Sequence, residues 1–266
     1  MKYYISEKAL ESMERECRRS PNTETGGILV GYRADQDASD DSKVIITHAS
    51  GPGPESSASA THFVKDTPYL QSVLELLFQY HQVNYLGVWH KHPGDMSWPS
   101  SGDVSSAMQE IEGGTVGLQE LVTPIATMNS GRVEIHPHVI RDGSALPVSW
   151  ESVPHDQLPD GRSVANQWHE TEAGLNRLKE EMAEFEAQDI EVEVRRGDDG
   201  TYRFHASLDD NPTRKLVLLC HADYPITPPD AALYDCPSGD YEPVDSEPLS
   251  GWDLTWRLAD VCVARV

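Results

Sequence analysis

Residues 89–103 read WHKHPGDMSWPSSGD and place two histidines, a serine and an aspartate close together in the chain. The apolar run VNYLGVWH leading into it has strand character, and successive side chains of a strand alternate between faces. His90 and His92 therefore point one way and Lys91 the other. Pro93 ends the strand, and the loop to Pro99 leads into SSGDVSSAMQEI, where Ser100 or Ser101 can cap a short helix carrying Asp103 in its first turn. The positive end of the helix dipole favours the ionised carboxylate there. Two neutral imidazoles and a carboxylate suit Zn²⁺, and three protein donors leave the fourth tetrahedral position open, as in catalytic zinc sites. A bare HxH would carry little weight. The chain holds a second one, His136 and His138 in EIHPHVI, but Pro137 marks an edge strand and no SxxD follows, so that pair reads as structural.

Outward from this stretch the first half alternates helix and strand. Ile5, Ala9, Met13 and Cys17 form a helical stripe over 5–19, GGILVGY and SKVIITHAS read as strands, and GPGPESSASA is a loop. TPYLQSVLELLFQYHQ sets Leu70, Val73, Leu74, Leu77 and Tyr80 at helical spacing behind Pro68. LVTPIATM and RVEIHPHVI read as further strands. From RDGSALPVSWESVPHDQLPDGRSVA the periodicity vanishes, as in a linker. Beyond it, a long helix sets Trp168, Leu175, Leu178, Met182 and Phe185 on one face. The strands IEVEVRR and TYRFHASL are joined through GDDG, a hairpin signal, and KLVLLCHA completes a three-strand meander. A Pro-rich tail turns helical from about Trp252. The expected class is α/β of the α+β kind, with domains at 1–145 and 166–266 and a linker at 146–165.

The 266 residues suffice for two domains, and 38 % hydrophobic with 24 % charged residues is ordinary for a globular protein. No apolar run approaches the ~20 residues of a membrane span, and the amino terminus lacks a secretory pattern, so a cytoplasmic protein is expected. A net charge of −23 would repel a phosphate backbone and argues against nucleic acid as a partner. Cys17, Cys220, Cys236 and Cys262 show no CxxC spacing, which suggests reduced thiols rather than a disulfide framework.

HKHP followed six residues later by SSGD resembles the JAMM signature, HxHP then SxxD, of the JAB/MPN metalloprotease family. TETGGILVGY resembles the family's early glutamate-bearing segment, and the elements follow the family's order over about residues 1–140. The resemblance implies that His90, His92 and Asp103 ligate one Zn²⁺ per chain, that Glu24 holds and deprotonates the attacking water, and that Ser100 supports the oxyanion. It implies an isopeptidase that cuts the amide after the carboxy-terminal glycine of a ubiquitin-like protein. The alternatives are a peptidase that processes a ubiquitin-like or sulfur-carrier precursor and a non-catalytic scaffold of a conjugation complex. Bacterial relatives also occur in antiviral defence systems.

The second half, with Tyr224, Pro225, Pro228 and Pro229 in YPITPPDAALYD after the meander, resembles the ubiquitin-conjugating-enzyme fold and its RWD-like relatives. No cysteine stands at the expected reactive position. Cys236 comes too early, and Cys262 lies in the final helix. A non-catalytic domain is implied, one that binds a modifier, a conjugation-pathway enzyme or the target.

Overall fold

The computed structural model describes residues 1–34, 42–59, 63–113, 118–161, 168–198, 200–208 and 213–264. The chain divides into two units, one of residues 1–78 and 82–164, the other of 79–81 and 165–266.

In the first unit β1 (Lys2–Ser6) runs directly into α1 (Glu7–Arg19). Ile5, expected on the helical stripe, lies instead in β1 opposite Ile46. The switch comes at Ser6, whose side chain accepts the Ala9 N–H at 3.1 Å and caps the helix. Ala9, Met13 and Cys17 keep their place on the buried face of α1. There follow β2 (Thr25–Ala34), β3 (Lys43–Ala49), β4 (Ser57–Ala58), β5 (Phe63–Val64), α2 (Thr67–His81), β6 (Asn84–Lys91) and α3 (Ser101–Glu112). Asp66 caps α2 by accepting from Tyr69 N, and Pro68 occupies its first turn, where a missing N–H costs nothing. Then come β7 (Leu121–Val122), β8 (Ile125–Asn129), β9 (Arg132–His136), β10 (His138–Arg141), β11 (Ser144–Pro147) and β12 (Trp150–Val153).

Ten of these strands form one mixed sheet in the order β11-β10-β7-β6-β2-β3-β1-β12, with β8 joining β6 to β9; β4 and β5 pair separately. The apolar stripe of α1 packs with Leu29, Val44, Ile46, Trp89, Val122 and Val139 in one core, while Ala107 of α3 packs with Leu121 and Ile140 in another. β12 pairs in parallel with β1, from Tyr3 opposite Trp150 to Ser6 opposite Val153. Residues 146–153, set apart by sequence as linker, thus include the end of β11 and all of β12. β11 forms a hairpin with β10, from His138 opposite Pro147 to Arg141 opposite Ser144, whereas the partner of β12 lies far away in sequence, so local periodicity carries no trace of that pairing.

The second unit holds a 3-10 turn (Trp168–Glu170), α4 (Glu172–Ala187), β13 (Val192–Arg196), β14 (Tyr202–Ser207), β15 (Arg214–Cys220), β16 (Asp230–Asp235), β17 (Tyr241–Pro243), α5 (Glu247–Ser250) and α6 (Leu258–Val263). Strands β13 to β17 form an antiparallel meander in sequence order, two strands longer than expected. Residue 199 of the GDDG turn lies outside the described residues.

Two expectations are corrected here. Leu175 and Met182 of α4 are exposed, and the buried residues of that helix are Gly174, Arg177, Glu181 and Phe185. The reason is a buried polar cluster: Glu181 accepts from Arg177, from the Tyr224 hydroxyl and, at 2.8 Å, from Leu258 N. Arg177 also donates to the Leu254 carbonyl at 2.9 Å and to that of Trp256. The last helix starts at Leu258 rather than near Trp252, because Trp252 is buried and its indole N–H is held by the Pro225 carbonyl at 2.8 Å. All four cysteines are free; Cys17, Cys220 and Cys262 are buried and Cys236 is exposed.

Candidate metal centre

β6 runs antiparallel to β2 with Gly26 opposite His90 and Thr25 opposite Lys91. A Cβ on Gly26 would lie 2.3 Å from the Trp89 carbonyl oxygen and 2.8 Å from His90 Cβ, so only glycine lets β2 run this close beside the histidine. The His92 N–H donates to the Ala126 carbonyl at 2.9 Å and extends the ladder one residue past the strand. Glu24 directly precedes Thr25 at this end of the ladder, near enough for its charge to bear on His92. Glu24 is half-buried just before β2, and its N–H donates to the Ser59 carbonyl at 2.9 Å.

Past Pro93, Gly94 takes φ +60° and the loop turns back, so that the Met96 carbonyl lies 3.0 Å from His92 Nδ1. A carbonyl can only accept, so in the neutral ring Nδ1 carries the hydrogen and Nε2 presents its lone pair. That Nε2 faces His90 Nε2 at 2.8 Å.

Asp103 arrives from α3. Ser100 is the N-cap: its hydroxyl oxygen accepts the Asp103 N–H at 3.2 Å, and Asp103 Oδ2 accepts the Ser100 N–H at 2.6 Å, a reciprocal capping box. Thus held, the carboxylate places Oδ1 3.3 Å from His90 Nε2 and Oδ2 3.4 Å from His92 Nε2. Exposure of the side chains rises from 4 % at His92 through 14 % at His90 to 26 % at Asp103, so the cluster opens to solvent on one side.

Partial burial by itself would raise the Asp103 pKa, but hydrogen bonds from His90 and His92, the charge of His90 and the Ser100 side chain hold it well below the usual carboxylate range. Burial would lower the His92 pKa; Asp103, the Met96 carbonyl and the charge of Glu24 outweigh it and raise it.

The three side chains form a group able to hold a metal ion. Zinc bonds of about 2.0–2.1 Å at tetrahedral angles put neighbouring donors roughly 3.3 Å apart, and the separations of 2.8, 3.3 and 3.4 Å lie near that value. The donor set, two imidazoles and one carboxylate, is that of a zinc or comparable divalent site.

The structure thus brings His90, His92, Asp103 and Ser100 together, with Glu24 beside them. It does not bring His136 and His138 to a common strand face: Pro137 separates β9 from β10, and the two histidines fall on different strands. His136 Nε2 faces the Thr127 hydroxyl at 3.0 Å and His138 Nδ1 donates to the His136 carbonyl at 2.9 Å. The Trp98 ring meets His138 edge-on at 4.6 Å, and Trp98 and Met96 stand exposed beside the cluster. The Met96 carbonyl is the feature that sequence reading missed. Any residue can supply a carbonyl, and only the Pro93–Gly94 pair hinted that the loop folds back.

Several known proteins are similar to this chain in sequence. Two proteins named CD-NTase/cGAS isopeptidase are similar to this chain: one from Enterobacter hormaechei is 33 % identical over 102 residues, covering 38 % of this chain and 54 % of the relative. The other, from Escherichia coli, is 36 % identical over 92 residues, covering 34 % and 55 %. COP9 signalosome complex subunit 5 of Dictyostelium discoideum is 25 % identical over 174 residues, covering 63 % and 51 %. The matches span about half the length of each relative. Residues 6–151 match Prok-JAB, described as prokaryotic homologs of the JAB domain. With more than half its length inside that match, the chain belongs to the prokaryotic JAB family.

Proposed function

We propose that the chain is a zinc-dependent isopeptidase that hydrolyses the amide joining the terminal glycine of a ubiquitin-like protein to a lysine of its target. The reading is carried by one observation: a carboxylate and two imidazole nitrogens, one with its tautomer set by the Met96 carbonyl, converge at metal-ligand spacing on the solvent-open side of β6. His90, His92 and Asp103 would hold the ion. Zinc bound there supplies Lewis acidity, polarising the scissile carbonyl and making water acidic enough to lose a proton near neutral pH.

The remaining work falls to the protein. Glu24 takes the proton from the attacking water and delivers it to the lysine nitrogen as the C–N bond breaks. Ser100 stands at the start of α3, with its hydroxyl oxygen accepting from Asp103 N. It donates to the carbonyl oxygen as negative charge builds there. The second unit, whose meander and Tyr224–Pro229 segment resemble RWD-like domains, would recruit the modifier, a conjugation enzyme or the target.

The names of the two isopeptidase relatives direct the choice of substrate to a lysine-linked conjugate of a CD-NTase-type enzyme with a ubiquitin-like protein. The test compares that conjugate with a linear fusion extending beyond the modifier's last glycine. Wild-type protein with about one zinc per chain should cleave the conjugate, and Glu24→Gln should keep the zinc while turnover falls roughly 10²–10⁴-fold. Cleavage of the fusion alone would make the chain a precursor peptidase. Binding without cleavage would make it a scaffold.

A further inference from the structure

Lys91, the residue between the two histidines, faces away from them and is 2 % exposed. An ammonium is expensive to bury unless its donors find acceptors. Its Nζ donates to the Pro21 carbonyl at 3.1 Å, in the turn that carries the chain from α1 to Glu24. The charged group that bears on it is Glu24 itself, while the nearby Cys17 thiol is kept protonated and neutral by burial.

The surrounding bonds fix the rest of that turn. Ser20 N donates to the Glu16 carbonyl at 3.1 Å, and Glu24 N is held by Ser59. The Thr25 hydroxyl donates to Glu16 Oε1 at 2.7 Å. Thr25 also sits directly opposite Lys91 in the β2–β6 ladder. Lys91 therefore ties the middle of the turn to the strand that carries the histidines.

We propose that Lys91 is a positioning residue for Glu24, its ammonium gripping the Pro21 carbonyl so that the carboxylate is set at a fixed height beside His92. The proposal rests on the proposed role of Glu24. It needs no contact between Lys91 and substrate, and it predicts an effect on turnover rather than on metal or substrate binding. A displacement of about 1 Å at a reacting group can cost 10²-fold in rate.

The experiment uses the full zinc-loaded chain as wild type, Lys91→Met and Lys91→Arg. Three quantities are read: amide hydrogen exchange at residues 22–24, zinc affinity by chelator competition, and kcat and KM on a lysine-linked ubiquitin-like conjugate. Lys91→Met should speed exchange at 22–24 at least tenfold and lower kcat roughly 10–100-fold, with KM and zinc affinity within about threefold of wild type. Lys91→Arg, which restores a cationic donor, should recover slow exchange and most of kcat. Lys91→Gln takes the place of Lys91→Met, with the same readouts, if the methionine variant does not fold. Wild-type exchange in the neutral variant overturns the proposal, and so does a fall in zinc affinity that parallels kcat. A wild-type chain that binds zinc but cleaves nothing would sink the isopeptidase reading alone, because the exchange comparison would still decide the grip.

Discussion

Replacing Ser100 with alanine removes a helix cap and a hydroxyl donor together, whereas replacing it with glycine removes chiefly the donor. The cap is the 3.2 Å bond from Asp103 N to the Ser100 hydroxyl oxygen at the start of α3. Losing such a cap to alanine costs about 0.5–2 kcal/mol, while glycine at the same position costs only a few tenths. At roughly 2–4 °C per kcal/mol for a unit of this size, Ser100→Ala should melt about 1–8 °C lower and Ser100→Gly within about 1 °C of wild type. An oxyanion donor contributes about 10²–10³ in kcat, and neither variant retains it. The two variants should therefore differ in melting temperature and agree in their rate defect on the lysine-linked conjugate, with zinc affinity measured alongside. If Ser100→Gly cleaved at more than a third of the wild-type rate, the hydroxyl would have no part in the chemistry. If Ser100→Ala melted with wild type, the capping argument would be wrong.

Protons should compete with zinc at His92. Its pKa is raised above the ordinary 6.5, and a ligand must be deprotonated, so zinc affinity should climb as pH rises through the raised value and level off above it; a flat affinity between pH 6 and 8 would contradict this. The thiols give a simpler check. Cys17 is pushed up to about 12 by burial and Cys220 is raised well above the ordinary value, so alkylation of the native chain at pH 8 should mark Cys236 alone, and mass spectrometry showing a second adduct would refute the packing of α1, β15 or α6. Glu181→Ala should unfold the second unit at lower urea, by about 3–5 kcal/mol, because it strands the buried Arg177 guanidinium; a loss under 1 kcal/mol would mean that the cluster is replaceable.

The site was more legible in the sequence than the sheet. HxH on a strand and SxxD at a helix start are local patterns whose geometry follows from periods of two and of a helical turn, so His90, His92, Ser100 and Asp103 could be placed without tertiary knowledge. β1 and β12 could not, since Lys2–Ser6 and Trp150–Val153 are short and become strands by pairing with each other and with β3. α4 misled for a different reason. Its apolar residues Leu175 and Met182 have the right spacing, but Arg177 and Glu181 take the interior because each finds partners there. A periodicity argument assumes that charge stays outside, and a satisfied buried pair breaks that assumption. For the Met96 carbonyl the sequence offered only the turn signal of Pro93 and Gly94, which does not say which carbonyl meets His92.

The capping box at α3 has a consequence for how the centre would fill. Asp103 is fastened by Ser100 N before any cation arrives, and His92 is already oriented by a main-chain oxygen. Freezing a side chain on capture ordinarily consumes a kcal/mol or so of rotational freedom, and here folding has absorbed that loss beforehand. Loading should therefore run at the speed with which the ion sheds its hydration shell, without a slow rearrangement of the polypeptide.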